Sequence, residues 1–429
     1  MSAAKLNIGI AGGGIAGLVA GLELQGAGHT VSIYEARSRT GGRIHSIELA
    51  GMVVETGPEF IHGHGKETIR LLNKFKIGFE QSYGKMYRAM GGQLKEDDEV
   101  VSGWDQLLDK MRLLEQDLPF QDFLEKNFPG NRYTELRHAA IGFAEGFDLA
   151  DAHTASTVAL FEEWKVEDME QYRVLAGYGS LIESLTNEFS SRGGKIFLNH
   201  PVRQVDWNAN GIRIRVKDDK EFAMDKLIVS LPFSAFNKSG PKNESIVFTP
   251  SLGEKETVVD EIGFGNVIKI VMIWNSVFWK ETMPDAQFVF SNCFIPTWWT
   301  QFPRDLPLLT GWLGGPKALL FKDKPDVFFL DKAMESLSEI FSVSRHVLDD
   351  RLKDFRVFNW KNEAWSRGAY CYFRVGFEKA ISVWKEAVGG NIYFAGEAYY
   401  NGPHPGTVEA SVVNGIDTAR RLLADINNL

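Results

Sequence analysis

The stretch that constrains this chain most runs from Leu6 to Glu35, LNIGIAGGGIAGLVAGLELQGAGHTVSIYE, because its pattern demands strand, glycine turn, helix and strand in close succession. Leu6, Ile8 and Ile10 alternate as a short buried strand should, and the chain then enters Gly12, Gly14 and Gly17 with G-x-G-x-x-G spacing. Gly12 allows the tight turn, Gly14 lets backbone approach a pyrophosphate, and Gly17 lets the helix sit close on the strand. The helix start points its unpaired N–H groups and positive dipole end at the phosphates. Thr30 to Tyr34 form the second strand, and Glu35 at its end is placed to accept hydrogen bonds from ribose hydroxyls. The unit specifies a dinucleotide and leaves NAD and FAD equally open.

With 429 residues the chain exceeds the usual single-core size, so two domains are expected. Hydrophobic residues at 44% and charged residues at 24% describe a packed globular protein, with nothing that suggests disorder. A net charge of -9 disfavours nucleic acid as a partner. Two cysteines, Cys293 and Cys371, cannot build a disulfide framework and fit a reducing, cytoplasmic compartment. The apolar run after Lys5 is broken by glycines and reads as the first strand, not as a signal peptide. No run of about 18 apolar residues is present, so no spanning helix is expected.

Downstream, Gly41, Gly42 and Arg43 make a second glycine turn followed by a cation, either a fork for pyrophosphate charge or a solvated loop arginine. GMVVETGPEFI then leads to His62 and His64 in a glycine loop; two histidines at i, i+2 are possible metal ligands, but no third or fourth ligand is evident, and a loop lining a site is the better reading. From Glu67 the spacing of Ile69, Leu72 and Phe75 is helical, and a helical region is expected to run to about Gly179, with Phe143, Phe147 and Trp164 as core residues. IRIRV and the run Leu227 to Leu231 predict a hairpin feeding a buried parallel strand, a return to the nucleotide-binding domain. In IGFGNVIKIVMIWNSVFW a single charge, Lys269, sits among alternating apolar residues, either on an exposed strand face or aimed into a cavity. The tail NIYFAGEAYYNGPHPGTVEASVVNG reads as strand, glycine, Glu397, loop and helix, with the helix start near Gly406 to Glu409 facing a ligand.

These ordered blocks, GGGIAG with Glu35, TGGR, GPEFIHG, GFGNVIKIVMIWNSVFW, WSRGAYCY and YFAGEAYYNGPHPGTVEASVVNG, resemble the flavin-dependent amine oxidases: monoamine oxidases, polyamine oxidases and lysine-specific histone demethylases. About residues 80 to 175 match only in helical character. The resemblance implies an α/β fold: a Rossmann-like (GR2-type) FAD-binding domain from 1–75, 176–240 and 386–429, and a substrate domain of mixed β-sheet flanked by helices from 76–175 and 241–385. It places FAD against Gly12, Gly14, Ile15, Ala16 and Gly17, Glu35, Ala36 and Arg37, Gly42 and Arg43, Gly57, Pro58 and Glu59, and Val202 at the adenine. Gly396, Glu397, Thr407, Val408 and Glu409 fall on the flavin-proximal part. Lys269 falls on the lysine that holds a water against flavin N5, and Tyr370 on one wall of an aromatic cage whose other wall falls on Thr407.

The resemblance implies oxidation of an amine C–N bond to an imine by hydride transfer to the flavin, then hydrolysis, with O2 reoxidising the flavin to give H2O2. The reacting amine must be neutral, which an apolar pocket favours, and His62 would orient a nitrogen. Ala369 stands where monoamine oxidases carry the flavin-bonding cysteine, so the FAD is expected to be noncovalent and Cys371 is not equivalent. The membrane helix of monoamine oxidases and the chromatin-facing domain of the demethylases find no counterpart, so an amine of small-molecule size is expected, a polyamine or a primary or secondary amine. Glu59 is a candidate acid at the pocket mouth for polyamines, or a solvated loop residue. The alternatives are a relative oxidising carbon–carbon bonds, an amine dehydrogenase, and a module in which FAD is structural.

Overall fold

A computed structural model of the chain describes residues 5–97, 103–166, 170–236, 245–402 and 404–427. The expected strand–helix–strand unit is Asn7–Ala11, Ile15–Gly26 and Thr30–Tyr34. Its two strands lie within a five-stranded parallel sheet whose order is Lys195–Phe197, Thr30–Tyr34, Asn7–Ala11, Lys226–Val229, Ile392–Phe394. Pieces from four distant parts of the chain therefore meet edge to edge. The predicted hairpin, Gln204–Asn208 with Gly211–Arg215, does precede the buried parallel strand, but it belongs to a separate four-stranded sheet.

Both faces of the parallel sheet are covered, which is why its strands Lys226–Val229 and Ile392–Phe394 read as apolar runs. On one face Ile8, Ile10 and Ile228 pack with Leu18, Leu185, Phe189, Val412 and Ile416 from three helices. On the other, Ala11, Leu227, Val229 and Phe394 pack with Val205, Ile212 and Ile214 of the four-stranded sheet and with Trp384.

A second, seven-stranded mixed sheet runs in the order Leu352–Asn359, Val267–Trp274, Leu308–Gly314, Thr297–Trp299, Ala286–Ser291, Lys85–Met90, Gln93–Glu96. Helix Asp326–Phe341 covers one face, setting Phe329, Met334 and Leu337 against Ile268, Ile270 and Met272.

The sequence reading was wrong about the long helical region after Glu67. The first helix stops at Lys74, and strands Phe79–Ser82, Lys85–Met90 and Gln93–Glu96 follow before four helices begin at Trp104. Gly91 and Gly92 both take positive φ, 58° and 75°, and make the two-residue turn that closes this hairpin. Gln171–Val174 is also a strand, held between Phe60–His62 and Phe79–Ser82, so its period is set by partners remote in sequence.

Candidate active site

One cavity of about 2330 Å³ runs from the first glycine turn to the aromatic residues of the seven-stranded sheet. At its first end, Gly12 has φ +109°, and a Cβ there would stand 2.8 Å from the Ser230 carbonyl oxygen. A Cβ on Gly17 would strike the Gly12 carbonyl oxygen, whereas at Gly14 it would meet nothing within 4 Å. Two glycines are thus required by packing, and the third leaves open space at the start of helix Ile15–Gly26, with Ile15 and Ala16 on the wall. Glu35, 3% exposed, accepts from the Gly13 amide at 2.7 Å and the Arg37 amide at 2.8 Å. Each oxygen keeps an acceptor position for a hydroxyl.

The expected cations here are not free. Arg37 grips Glu363 through two N–H groups at 3.1 and 2.5 Å, and Arg43 donates to Glu397 Oε1 at 2.8 Å and to the Ala369 carbonyl. The solvated-loop reading of Arg43 is thereby overturned; its pairing ties the second glycine turn to the two segments that carry Tyr370 and Glu397. Glu397, 3% exposed, also accepts the Cys371 thiol at 2.7 Å. Burial and the Glu397 charge raise the pKa of that thiol well above its ordinary value, so Cys371 stays protonated and poorly nucleophilic. Ala36, Gly42, Gly57, Pro58, Val202 and Gly396 all border the same cavity.

Lys269 is fully buried, which removes its exposed-face alternative. It does not itself border the cavity. Its ammonium donates to the Gly57 carbonyl at 3.2 Å and to Glu59 Oε2 at 3.1 Å, and sits 5.5 Å from the Trp299 ring centre. Gly57, Glu59 and Trp299 do border it.

Glu59 is therefore neither a pocket-mouth acid nor a solvated one. Its side chain is 9% exposed and receives four donors: Lys269 and Trp299 Nε1 on one oxygen, Arg173 Nε at 3.2 Å and Gln301 Nε2 at 2.8 Å on the other. All four acceptor positions of a carboxylate are filled, so no substrate ammonium can be added. Burial acts to raise this carboxyl, but Lys269 and Arg173 more than offset it and hold it at about 2. Arg173 escaped the sequence reading because its strand was taken for helix. It is 2% exposed, donates also to Ser82 Oγ and the Thr300 and Phe302 carbonyls, and lies 4.5 Å over the Phe60 ring. No local pattern marks it.

At the far end of the cavity stand Tyr370, Phe60, Trp299, Trp312, Phe147 and His62. Tyr370 donates its hydroxyl to the Phe147 carbonyl, and burial raises its pKa well above the ordinary value. Phe147, expected in the core, is 42% exposed and stands T-shaped to His62 with ring centres 5.8 Å apart. His62 is pushed down to about 4 by burial, with His404 adding to the effect, so it is neutral at ordinary pH. His64 is exposed and 3.8 Å from Glu170, and no cluster of three metal-ligating side chains occurs among the described residues.

Two residues near the last helix cap helices, Thr407 while it also borders the cavity. Thr407 Oγ1 accepts from the Ala410 amide at 3.1 Å and donates to the His404 carbonyl, so it caps helix Val408–Asn427. Glu409 accepts from the Glu67 and Thr68 amides at 2.8 and 2.7 Å, capping helix Lys66–Lys74, whose own N-cap is Gly65. Glu409 does not border the cavity. Val408 packs into the core beside the parallel sheet while also edging the cavity.

Residues 15–423 match the family model described as flavin containing amine oxidoreductase. Among curated proteins, the chain is 24% identical to lysine-specific histone demethylase 1B of Mus musculus, over 97% of this chain and 52% of that protein. It is 24% identical to polyamine oxidase 2 of Arabidopsis thaliana, over 96% of this chain and 86% of that protein. The chain thus spans about half the length of the demethylase it matches. Among solved structures, putrescine oxidase bound to putrescine superposes with a TM-score of 0.82 at 21% identity, covering 98% of this chain and 99% of that one. Cyclohexylamine oxidase from Brevibacterium oxydans IH-35A gives 0.83 at 16% identity, covering 99% and 100%. No helix among the described residues is long and apolar enough to cross a membrane.

Proposed function

We propose, from the premise that this chain belongs to the flavin containing amine oxidoreductases, that it is an FAD-dependent amine oxidase acting on a polyamine or a primary or secondary amine. The observation that carries the reading is the single continuous cavity joining the glycine turn at Gly12 to Tyr370. The open space at Gly14, beside the unpaired N–H groups of a helix start, fits a pyrophosphate. Glu35 offers acceptors for a ribose, and Val202 borders the cavity on the adenine side. Gly42, Arg43, Gly396, Glu397 and Val408 would hold the flavin half. In this reading 1–75, 176–240 and 386–429 bind FAD, and 76–175 with 241–385 bind the amine.

Bound there, FAD supplies a hydride acceptor and O2 restores it, releasing H2O2. The protein's share is orientation and control of charge. Phe60, Trp299, Trp312 and Tyr370 surround the amine with rings, which disfavours its protonated form and leaves the nitrogen lone pair available. Tyr370 is fixed by its bond to the Phe147 carbonyl, and neutral His62 can hold a nitrogen by a hydrogen bond without adding charge. Behind the cavity wall formed by Gly57 and Glu59, Lys269 gives two of its three donors to those residues among the described ones, and the third is available to a water.

Ala369 offers no nucleophile and the Cys371 thiol is held by Glu397, which supports noncovalent FAD. Acid precipitation should leave the yellow colour in the supernatant; a yellow pellet contradicts this. The two free cysteines support a cytoplasmic setting. The reading is tested by anaerobic mixing with an amine panel: loss of the flavin band at about 450 nm marks a substrate, and peroxide formation in air separates an oxidase from a dehydrogenase. A protein whose flavin no amine bleaches is not an amine oxidase.

A further inference from the structure

We propose that Lys317, with the Thr297 hydroxyl and the Asn292 side-chain amide, forms an anion subsite in a corner of the cavity beyond the aromatic rings, and that it takes a carboxylate carried at the opposite end of the amine substrate. The inference rests on the amine-oxidation reading and names its substrate class, a long ω-amino acid. Strand Ala286–Ser291 sets Phe288 and Phe290 on one face, and residues directly opposite share that face: Phe288 pairs with Trp299, Phe290 with Thr297, and Thr297 with Trp312. All five border the cavity, so this face of the seven-stranded sheet is its floor. The rings follow one another from Phe60 to Phe288 at 5.8 Å and from Phe288 to Phe290, stacked, at 6.2 Å. From Phe288 the strand rises about 10 Å to Ser291. The chain then turns through 292–296 into strand Thr297–Trp299, and Asn292, Cys293 and Pro296 of that turn border the cavity too. A chain laid along the rings with its nitrogen beside Tyr370 therefore ends among polar groups.

Helix Gly315–Leu320 follows strand Leu308–Gly314 without a loop, so the strand that carries Trp312 also fixes Lys317. Lys317 is half-buried and borders the cavity; its ammonium donates to the Phe294 carbonyl at 3.0 Å and lies 4.7 Å from the Phe294 ring centre. Arg88, Arg112 and Lys165 border the same cavity, and each is paired with a carboxylate, that of Asp97, Asp109 and Glu162. Lys317 has no carboxylate partner among the described residues, and two of its three donors are left over. Glu339 acts on the neighbouring Cys293 thiol and not on Lys317. Burial lowers the pKa of Lys317, as it does for an ammonium taken from water without a counter-ion. The Thr297 hydroxyl and the Asn292 side chain make no hydrogen bond to another described residue.

The two ends of such a ligand meet different demands. The rings near Tyr370 favour a neutral nitrogen, whereas Lys317 lacks a negative charge. A carboxylate supplies that charge and accepts from the ammonium, the hydroxyl and the amide together. The second ammonium of a diamine would face Lys317 as a like charge. The methyl end of a monoamine would cover these donors and leave them unpaired.

The test titrates the flavin-loaded protein by calorimetry, and assays kcat/KM, with ω-aminooctanoate and ω-aminododecanoate, each against the monoamine and the terminal diamine of equal length. At least one amino acid should bind about tenfold more tightly than its monoamine and its diamine. Lys317→Met should remove that advantage, a loss of about tenfold, while Lys317→Arg, which keeps the charge, should retain it. Thr297→Val should reduce it about threefold. If Lys317→Met fails to fold or loses flavin, Thr297→Val alone decides. Equal or weaker binding of both amino acids, or an advantage that survives Lys317→Met with flavin retained, overturns the subsite. An advantage that Lys317→Met removes, in a protein whose flavin none of these compounds bleaches, upholds the subsite and overturns the oxidase reading instead.

Discussion

The two ends of the cavity are built in contrasting ways. The glycine end is made of backbone from one continuous stretch, Asn7 to Glu35, and its requirements are steric: room at Gly14, contact at Gly12 and Gly17. At the far end, behind Glu59 and Trp299 on the wall, the Lys269 network is made of side chains from Glu59, Arg173, Lys269, Trp299 and Gln301, spread over more than two hundred residues and joined by charge. The first cannot tolerate a methyl group, and the second cannot tolerate loss of a charge. A buried ion network is only as stable as its most exposed requirement for a partner, because removing one member leaves the others charged in a medium that solvates them poorly.

The sharpest way to break this comparison is Gly17→Val. The added carbon drives into the Gly12 carbonyl oxygen, so the helix must leave the strand, and the purified protein should carry flavin only at background level. Retention of a full complement of flavin would remove the steric account of that end.

Next comes Glu59→Gln. The carboxyl is depressed from 4.5 to about 2, so its contribution is fully present above pH 4.5 and is lost as pH falls toward 2. The difference corresponds to about 3 kcal/mol. Denaturant midpoints should therefore fall for the variant at pH 7, and the gap from the parent protein should close between pH 4.5 and 2. A gap that stays constant across that range would show that the acid does not hold the network by charge.

Lys269→Met should lower turnover or flavin reoxidation by at least about tenfold, roughly 1.4 kcal/mol in barrier, with flavin still bound. Unchanged rapid-reaction kinetics would reduce Lys269 to a partner of Glu59. The smallest effect is expected from Thr407→Ala, which loses a helix cap worth about 1 kcal/mol and should lower the melting temperature without releasing flavin. If instead turnover collapses while stability is unchanged, Thr407 is a cage wall after all.

How far each region could be read in advance follows from this contrast. Strand, turn, helix and acid at the glycine end obey local spacing, and the structure places Glu35 and the three glycines together as that spacing requires. Lys269 was conspicuous as one charge in an apolar strand, yet its partner was not, because Glu59 lies 210 positions away and looks like any loop glutamate. Arg173 was hidden twice over, in a segment taken for helix and with partners from three other segments. Thr407 and Glu409 were legible as polar residues near a helix start, but whether such a residue meets a ligand or an amide is settled by what packs opposite.

The chain's order alone determined the strand–glycine turn–helix–strand unit, the α/β class and the family likeness, since each depends on short-range periodicity or on motifs read residue by residue. Only the tertiary structure decided that Glu59 is saturated, that Arg43 belongs to Glu397, and that Cys371 is held as a thiol. The physical reason is one of range: glycine conformation and hydrophobic period act over a few residues, whereas the state of a buried charge depends on every group the fold brings within a few ångströms of it.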